Sequence, residues 1–418
     1  MRYCQYTAST FSAHLFYRVF VLMKNAYLPI VVTALSLSLA ACGDRAWWSN
    51  NDEPTLSSAQ IAKLIPTRVQ QRESWAKDIH DISKQFGIPQ SKDNICSIIA
   101  VVDQESNFIA DPQVAGLGAK AVKEVEERLD EKFTEKLGEK IGGTVAGYFQ
   151  DVLKNQPSPE NNYLSQMRKV KTERELDELY REIFAYMAKH YHVSALTGAA
   201  KLVGQDIGEK LNPITTLGSM QVHISYAKAN KRQGGNMAAL RSDLYTQYGG
   251  LYYGIHRLMM YPADYDRAIY RFADYNSGMY SSRNAAFQKM LNLVADLKLD
   301  LDGDLLLYTK DGSERAQKSQ SEMALIHLFA LEKVLITPRQ IRADLKKEKE
   351  KKFEETATYQ EIVRLYQEKT GKAPMYAIMP EVVISGPKLS RDYNTNWFAT
   401  RVNGRYDTCM QRAKRLKL

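Results

Sequence analysis

Ile95-Cys96-Ser97-Ile98-Ile99-Ala100-Val101-Val102-Asp103-Gln104-Glu105-Ser106-Asn107-Phe108 is the most apolar helical stretch of the chain. Ile95, Ile98 and Val102 share one face at helical spacing, so the segment Asn94 to Phe108 reads as a helix that a core must surround. Glu105 follows Val102 by three residues and Ile98 by seven, which puts its carboxylate on that buried side at the helix end. A carboxyl group there loses hydration of its charged form, so its pKa is expected to rise. A general acid needs that shift to hold a proton near neutral pH. Asp103 lies about 200° away around the helix and is not placed to assist. Taken alone, Glu105 also fits a helix-ending glutamate paired with a surface base; two further segments weigh against that.

Asn212-Pro213-Ile214-Thr215-Thr216-Leu217-Gly218-Ser219-Met220-Gln221-Val222 is a turn-rich entry to a helix. Gly218 lets the backbone approach a ligand, and Gln221 offers a donor and an acceptor to a sugar. Ala268-Ile269-Tyr270-Arg271-Phe272-Ala273-Asp274-Tyr275-Asn276-Ser277-Gly278 reads as an apolar helix ended by glycine, with Tyr275 and Asn276 projecting into a cleft. In this order the segments resemble the soluble lytic transglycosylases and goose-type lysozymes, whose pattern is Glu-Ser-x-Phe, Gly-x-Met-Gln and Ala-x-Tyr-Asn-Ala-Gly. Glu105 to Phe108, Gly218 to Gln221 and Ala273 to Gly278 match in turn, with Ser277 in place of the last alanine. Tyr248 to Leu258 resembles the family's packing helix, and Thr395 to Tyr406 its late helix with a cleft tyrosine.

The resemblance implies a peptidoglycan lytic transglycosylase with Glu105 as its single acid/base. That residue would protonate the oxygen between N-acetylmuramic acid and N-acetylglucosamine, then take the proton of the muramyl C6 hydroxyl as a 1,6-anhydro ring closes. Ordinary glycosidases flank the bond with two carboxylates instead. Ser106, Gly218, Ser219, Met220, Gln221, Tyr275, Asn276 and Tyr406 would bind the glycan or line its cleft, and no metal or cofactor is implied. Two alternatives use the same residues: a muramidase-type hydrolase, and a peptidoglycan-binding lipoprotein that does not cut.

Departures from the pattern are as informative. About 110 residues separate Glu105 from Gly218, so residues 111–211 read as a charged helical insertion, a lid or a docking arm, broken at Gln156-Pro157-Ser158-Pro159. Asn212 stands where the family often has serine, and Asp274 where alanine is common. Asp274 is expected to face solvent; beside the cleft it would be a second carboxylate favouring hydrolysis. These differences mark a lipoprotein family of its own, of undescribed function, within the lysozyme-like group.

Met23-Lys24-Asn25, the apolar run Ala26 to Leu39 and then Leu39-Ala40-Ala41-Cys42 form a bacterial signal peptide ending in a lipobox, with translation starting at Met23 rather than Met1. The run is shorter than the roughly 20 residues a membrane span needs. Cys42 would carry the lipid, and Gly43 after it favours the outer membrane, facing the periplasm. Cys96 and Cys409 then remain as a pair in an oxidising compartment, a candidate disulfide. The net charge of +9 suits an anionic partner, but much of it sits on solvated helix faces and in the tail Arg412 to Lys417. Expected partners are therefore glycan strands and, through Cys42, a membrane, with no nucleic acid. Asp300, Asp302 and Asp304 read as a polar turn rather than a calcium loop, and His190 and His192 as interhelical polar residues.

With 44% hydrophobic residues, the chain is expected to be mainly α. The signal peptide covers 1–42, a tether 43–57, and a lysozyme-like catalytic domain with its insertion 58–300. An α-rich extension, 301–418, packs on the core. Helices are expected over 58–85, 341–352 and 394–413, with an extended segment at 376–384.

Overall fold

Ser57 caps α1 (Ser58–Leu64) through a reciprocal capping box with Gln60. Pro66 then stops it: the residue before a proline avoids the helical region, and Ile65 is extended at φ −65°, ψ 139°. The single helix expected over 58–85 is thus two, α1 and α2 (Arg72–Gln85). The computed structural model describes residues 54–190, 208–209, 212–309, 313–384 and 393–418. The lipobox and Cys42 lie outside them. Throughout the described residues the fold is mainly α.

α3 (Lys92–Glu105) is the apolar stretch read first. Ser91 caps its start by accepting from the Asn94 amide at 3.3 Å, and Ile95 to Asp103 are all buried. The insertion follows as α4 (Leu117–Leu137), α5 (Glu139–Asn155), α6 (Tyr163–Met167) and α7 (Glu173–His190). Its centre is aromatic, with Phe149 against Phe133 and Phe184 at 5.4 Å. A short hairpin of β1 (Thr216–Leu217) and β2 (Val222–His223) comes next, in register Leu217↔Val222. Four helices continue the first core: α8 (Ile224–Ala229), α9 (Met237–Leu244), α10 (Gln247–Met259) and α11 (Ala268–Ser277).

A second apolar core gathers α12 (Ser281–Ala295), α13 (Gln320–Leu331), α14 (Pro338–Leu345), the 3-10 turn Lys351–Glu355 and α15 (Ala357–Thr370) around Phe287, Leu325, Phe329, Phe353 and Ile362. The expected helix over 341–352 stops at Leu345. Asp344 and Glu348 are buried there and bond elsewhere in the chain, Asp344 to Thr358 and Glu348 to the Leu305 amide. The extended segment pairs only through β3 (Val383–Ile384) with β4 (Tyr393–Asn394), which leads into α16 (Thr395–Arg415).

The cores do not divide at residue 300. α12 joins the second, while α16 returns to the first and packs along α3 and α11. Cys96 of α3 and Cys409 of α16 are disulfide-bonded, their Cα atoms 5.5 Å apart across 313 residues of sequence. Asp302 sits in the polar turn expected of it, accepting from Gln288 at 2.8 Å and from the Asp304 amide at 3.0 Å.

Closing so long a loop restricts the unfolded chain, so Cys409→Ala is expected to lower the unfolding free energy by about 2–5 kcal/mol. Urea unfolding of both proteins with and without reductant checks this, because only the wild type should respond to the reductant.

Burial pushes the Glu348 carboxyl up to about 7, while the hydrogen bonds from Tyr308 and the Leu305 amide oppose the shift. The unfolded state releases this proton near the ordinary carboxylate value and the folded state holds it longer, so stability falls as pH rises from about 4.5 to 7. Glu348→Gln keeps an acceptor for the Leu305 amide, can donate to the Tyr308 hydroxyl in place of accepting from it, and removes that slope. It should stabilise the protein at pH 8 by on the order of 2–4 kcal/mol, read from denaturation across the pH range.

Candidate active site

Where α3 ends, the chain turns sharply. The Ser106 hydroxyl bonds back to the Val102 carbonyl at 3.2 Å, and Asn107 and Phe108 both take positive φ, 52° and 62°. Left-handed non-glycine residues cost about 1–2 kcal/mol each. Phe108 offsets this by burying its ring edge-on against Trp75 of α2 at 5.3 Å. Phe108 occupies the buried position expected of Glu105. Glu105 itself is half-buried and faces an open cleft of about 860 Å³.

The opposite wall is built from the hairpin. Gly218 begins its turn at φ +77°, and a Cβ there would lie 2.2 Å from the Leu244 carbonyl. Its glycine therefore serves backbone packing rather than approach of a ligand. Ser219 and Met220 are fully buried against α10, where Gly250 and Gly254 leave room for them: a Cβ on Gly254 would meet the Met220 sulfur at 2.2 Å. They do not line the cleft as expected. Gln221 does, and at φ 50° it is held three ways. Its Oε1 accepts from Thr216 at 2.9 Å, and its Nε2 donates to Glu173 at 3.2 Å and to the Gly218 carbonyl at 3.3 Å.

Tyr275 stands behind this turn, buried, and donates to the Met220 carbonyl at 2.7 Å. Burial drives its phenol far up; the Glu105 carboxylate nearby adds to the shift, while Arg257 opposes it. Arg257 also donates to the Tyr275 carbonyl at 2.8 Å and lies over its ring. Tyr275 thus supports the site from the core. Asn276 turns to Thr395 of α16 at 3.3 Å.

Tyr406 is elsewhere. It donates to Asp93 at 2.5 Å, at the start of α3, and twelve helical residues place Glu105 about 18 Å further along. Asp274 neither faces solvent nor enters the cleft. It is fully enclosed and accepts from Tyr261, Tyr265, Ser281 and the Tyr280 and Ser282 amides. Burial raises its carboxyl, and these donors work against the rise.

Sequence reading missed the residues that the insertion and its entry bring to the cleft: Glu173, Asp111 and Gln113. Burial raises the Asp111 carboxyl, opposed by hydrogen bonds from Thr172 and the Arg174 backbone. Thr172 and Glu175 form a reciprocal cap, which marks a helix start at Glu173 in the sequence. Which wall Glu173 faces depends on packing. That packing runs through Arg241, which is fully buried and donates at 2.8 Å both to Asp177 of α7 and to Glu209. Asn212, where the family often has serine, donates to Asp177 at 2.6 Å.

A family model described as "Protein of unknown function (DUF1615)" matches residues 68–412. The chain belongs to the DUF1615 family. It is similar to "Uncharacterized protein YaiW" of Escherichia coli (strain K12), 32% identical over 383 residues, covering 90% of this chain and 96% of that protein. No solved structure gives a significant match. The DUF1615 span takes in the cleft, the insertion and both ends of the disulfide, and its description names no reaction.

Arg241→Ala would leave the buried Asp177 carboxylate only Arg181, at 3.3 Å, and Asn212, and breaking a buried pair costs up to about 3–5 kcal/mol. The loss should appear in chemical denaturation, with faster amide exchange in Glu173–His190 than in Lys92–Glu105.

Proposed function

We propose that the cleft at the end of α3 is the active site of a peptidoglycan lytic transglycosylase. The observation that carries the reading is that Glu105 and Gln221, more than a hundred residues apart, line one open cleft with Tyr275 close behind. Those are the residues the resemblance to lytic transglycosylases singles out. The cleft wall mixes polar side chains, Ser106, Gln113 and Glu173, with the apolar Ile109, Pro112 and Val114, which suits a sugar with hydroxyl edges and apolar faces.

Glu105 gives its proton to the glycosidic oxygen, and the bond from that oxygen to the muramyl C1 breaks. The emptied carboxylate takes the proton of the muramyl C6 hydroxyl, whose oxygen closes on C1. The products are a 1,6-anhydromuramyl end and a free N-acetylglucosamine hydroxyl, with Glu105 protonated again and no water consumed. Gln221, fixed by Thr216 and Glu173, orients the sugar.

Glu173 favours a second reading. A carboxylate on the far wall could activate water, which would make the reaction hydrolytic. The lipobox ending at Cys42 supports an outer-membrane lipoprotein facing the periplasm, where glycan strands are within reach. Among the described residues no helix is long and apolar enough to cross a membrane.

Glu105→Gln retains the shape of the side chain and removes the titratable proton, so cleavage of purified peptidoglycan should fall at least about a hundredfold. Mass spectrometry of the released fragments decides the chemistry. Anhydro ends from the wild type support the lyase, and reducing ends lost in Glu173→Gln support the hydrolase. Undiminished cleavage by Glu105→Gln would remove the residue from the mechanism, and binding without any cleavage would leave a glycan-binding lipoprotein.

A further inference from the structure

α13 carries apolar residues on two sides. Ala324, Leu325, Leu328 and Phe329 fill the second core with Ile326 packed at its edge, while Met323, Ala330 and Leu331 form an outward stripe at helical spacing with His327 among them. Met323 is 51% exposed and Leu331 66%. The loop that follows extends the stripe. Val334 and Ile336 pack on the second core and hold Leu335 between them entirely in water, at 101% exposure. Single exposed apolar residues are ordinary on any protein, but three large ones along one helix side and its following loop are not.

Apart from the exposed Glu332, the charged side chains bordering this row are mostly cations. Lys333 adjoins Leu335 and is exposed, and Lys318, Arg339, Arg342 and Lys346 line a neighbouring recess of about 460 Å³ with Glu322. Arg342 is engaged by Glu314 and Glu322, and Lys346 by Glu314, which leaves Lys318, Lys333 and Arg339 to face outward. Apolar tips ringed by lysine and arginine match a bilayer surface: the tips enter the acyl boundary and the cations meet phosphate headgroups. A second copy fits less well, because a two-fold interface would set these cations against one another.

Chain length permits the contact. Leu56 is buried and its amide bonds the Gln90 carbonyl, so the tether is residues 43–55, spanning at most about 45 Å, about twice the radius of gyration of roughly 21 Å expected for a chain of this size. We propose that the α13 stripe, Leu335 and the rim of Lys318, Lys333 and Arg339 form a membrane-docking surface for an anionic phospholipid leaflet. This surface is separate from the glycan cleft and does not depend on the reading given to it.

The test uses the mature chain from Gly43 onward, so that neither the signal run nor a lipid anchor is present, with an environment-sensitive fluorophore on Leu335→Cys. Vesicles of phosphatidylglycerol in phosphatidylethanolamine should shift its emission to the blue and carry the protein through sedimentation. Phosphatidylcholine vesicles should do so much less. Leu331→Glu with Leu335→Glu should lower partitioning at least about tenfold. Lys318→Glu with Arg339→Glu should abolish the preference for phosphatidylglycerol. All four side chains are exposed, so melting temperatures should be unchanged. No shift with phosphatidylglycerol vesicles overturns the proposal. So does a shift present without vesicles: one growing with protein concentration assigns the surface to a second copy, and one independent of it to a segment of the same chain.

Discussion

A helix buried along its length can keep charged groups only at its ends or against dedicated partners, and the first core is arranged around that constraint on α3. α16, α10 and α1 enclose it. At its start Asp93 meets Tyr406; at its end Glu105 meets the cleft. Asp103, the one acid within the buried run, is held by Arg68 and by Arg405 of α16, as a charge removed from water requires. α16 therefore supplies a tyrosine, an arginine and a cysteine to the same helix. Glu105 is the carboxylate of α3 that lines the cleft.

The insertion is tied into this arrangement. Arg241 on α9 holds Asp177 of α7, and the first residue of α7, Glu173, holds the Gln221 amide. A shift of α7 relative to α9 would be felt at once by Gln221 in the cleft. Small neighbours on α10 fix the other side of the hairpin, since Gly250 and Gly254 admit Ser219 and Met220 with no space for a methyl group. Much of the polar chemistry in the cleft is thus secured by parts of the chain that never touch it.

Local pattern was enough to read α3 with Glu105 at its end, the turn at Gly218 and the cysteine pair, though the turn-rich segment was expected to enter a helix and instead forms a hairpin. Each of these is encoded by spacing within a few residues or by elimination among four cysteines. What escaped depends on where a residue comes to lie in three dimensions. Pro66 divides a helix whose apolar spacing runs on through it. Asp274 looks like a surface acid because its five donors come from residues 261 to 282, brought round it only by the fold. Tyr406 sits on the expected helix but at the wrong end of α3, a question of how two helices are aligned that neither sequence contains. Glu173 was hidden for the same reason, inside a region that read as an appendage.

The bond between Cys96 and Cys409 also orders events in time. α3 leaves the ribosome some 300 residues before the helix that covers most of it, and its apolar face has no permanent cover until the end of the chain arrives. A chain cut short before α16 keeps that face open to proteases and chaperones. The disulfide then seals only molecules that reached their last helix, so the fold carries its own proof of completeness.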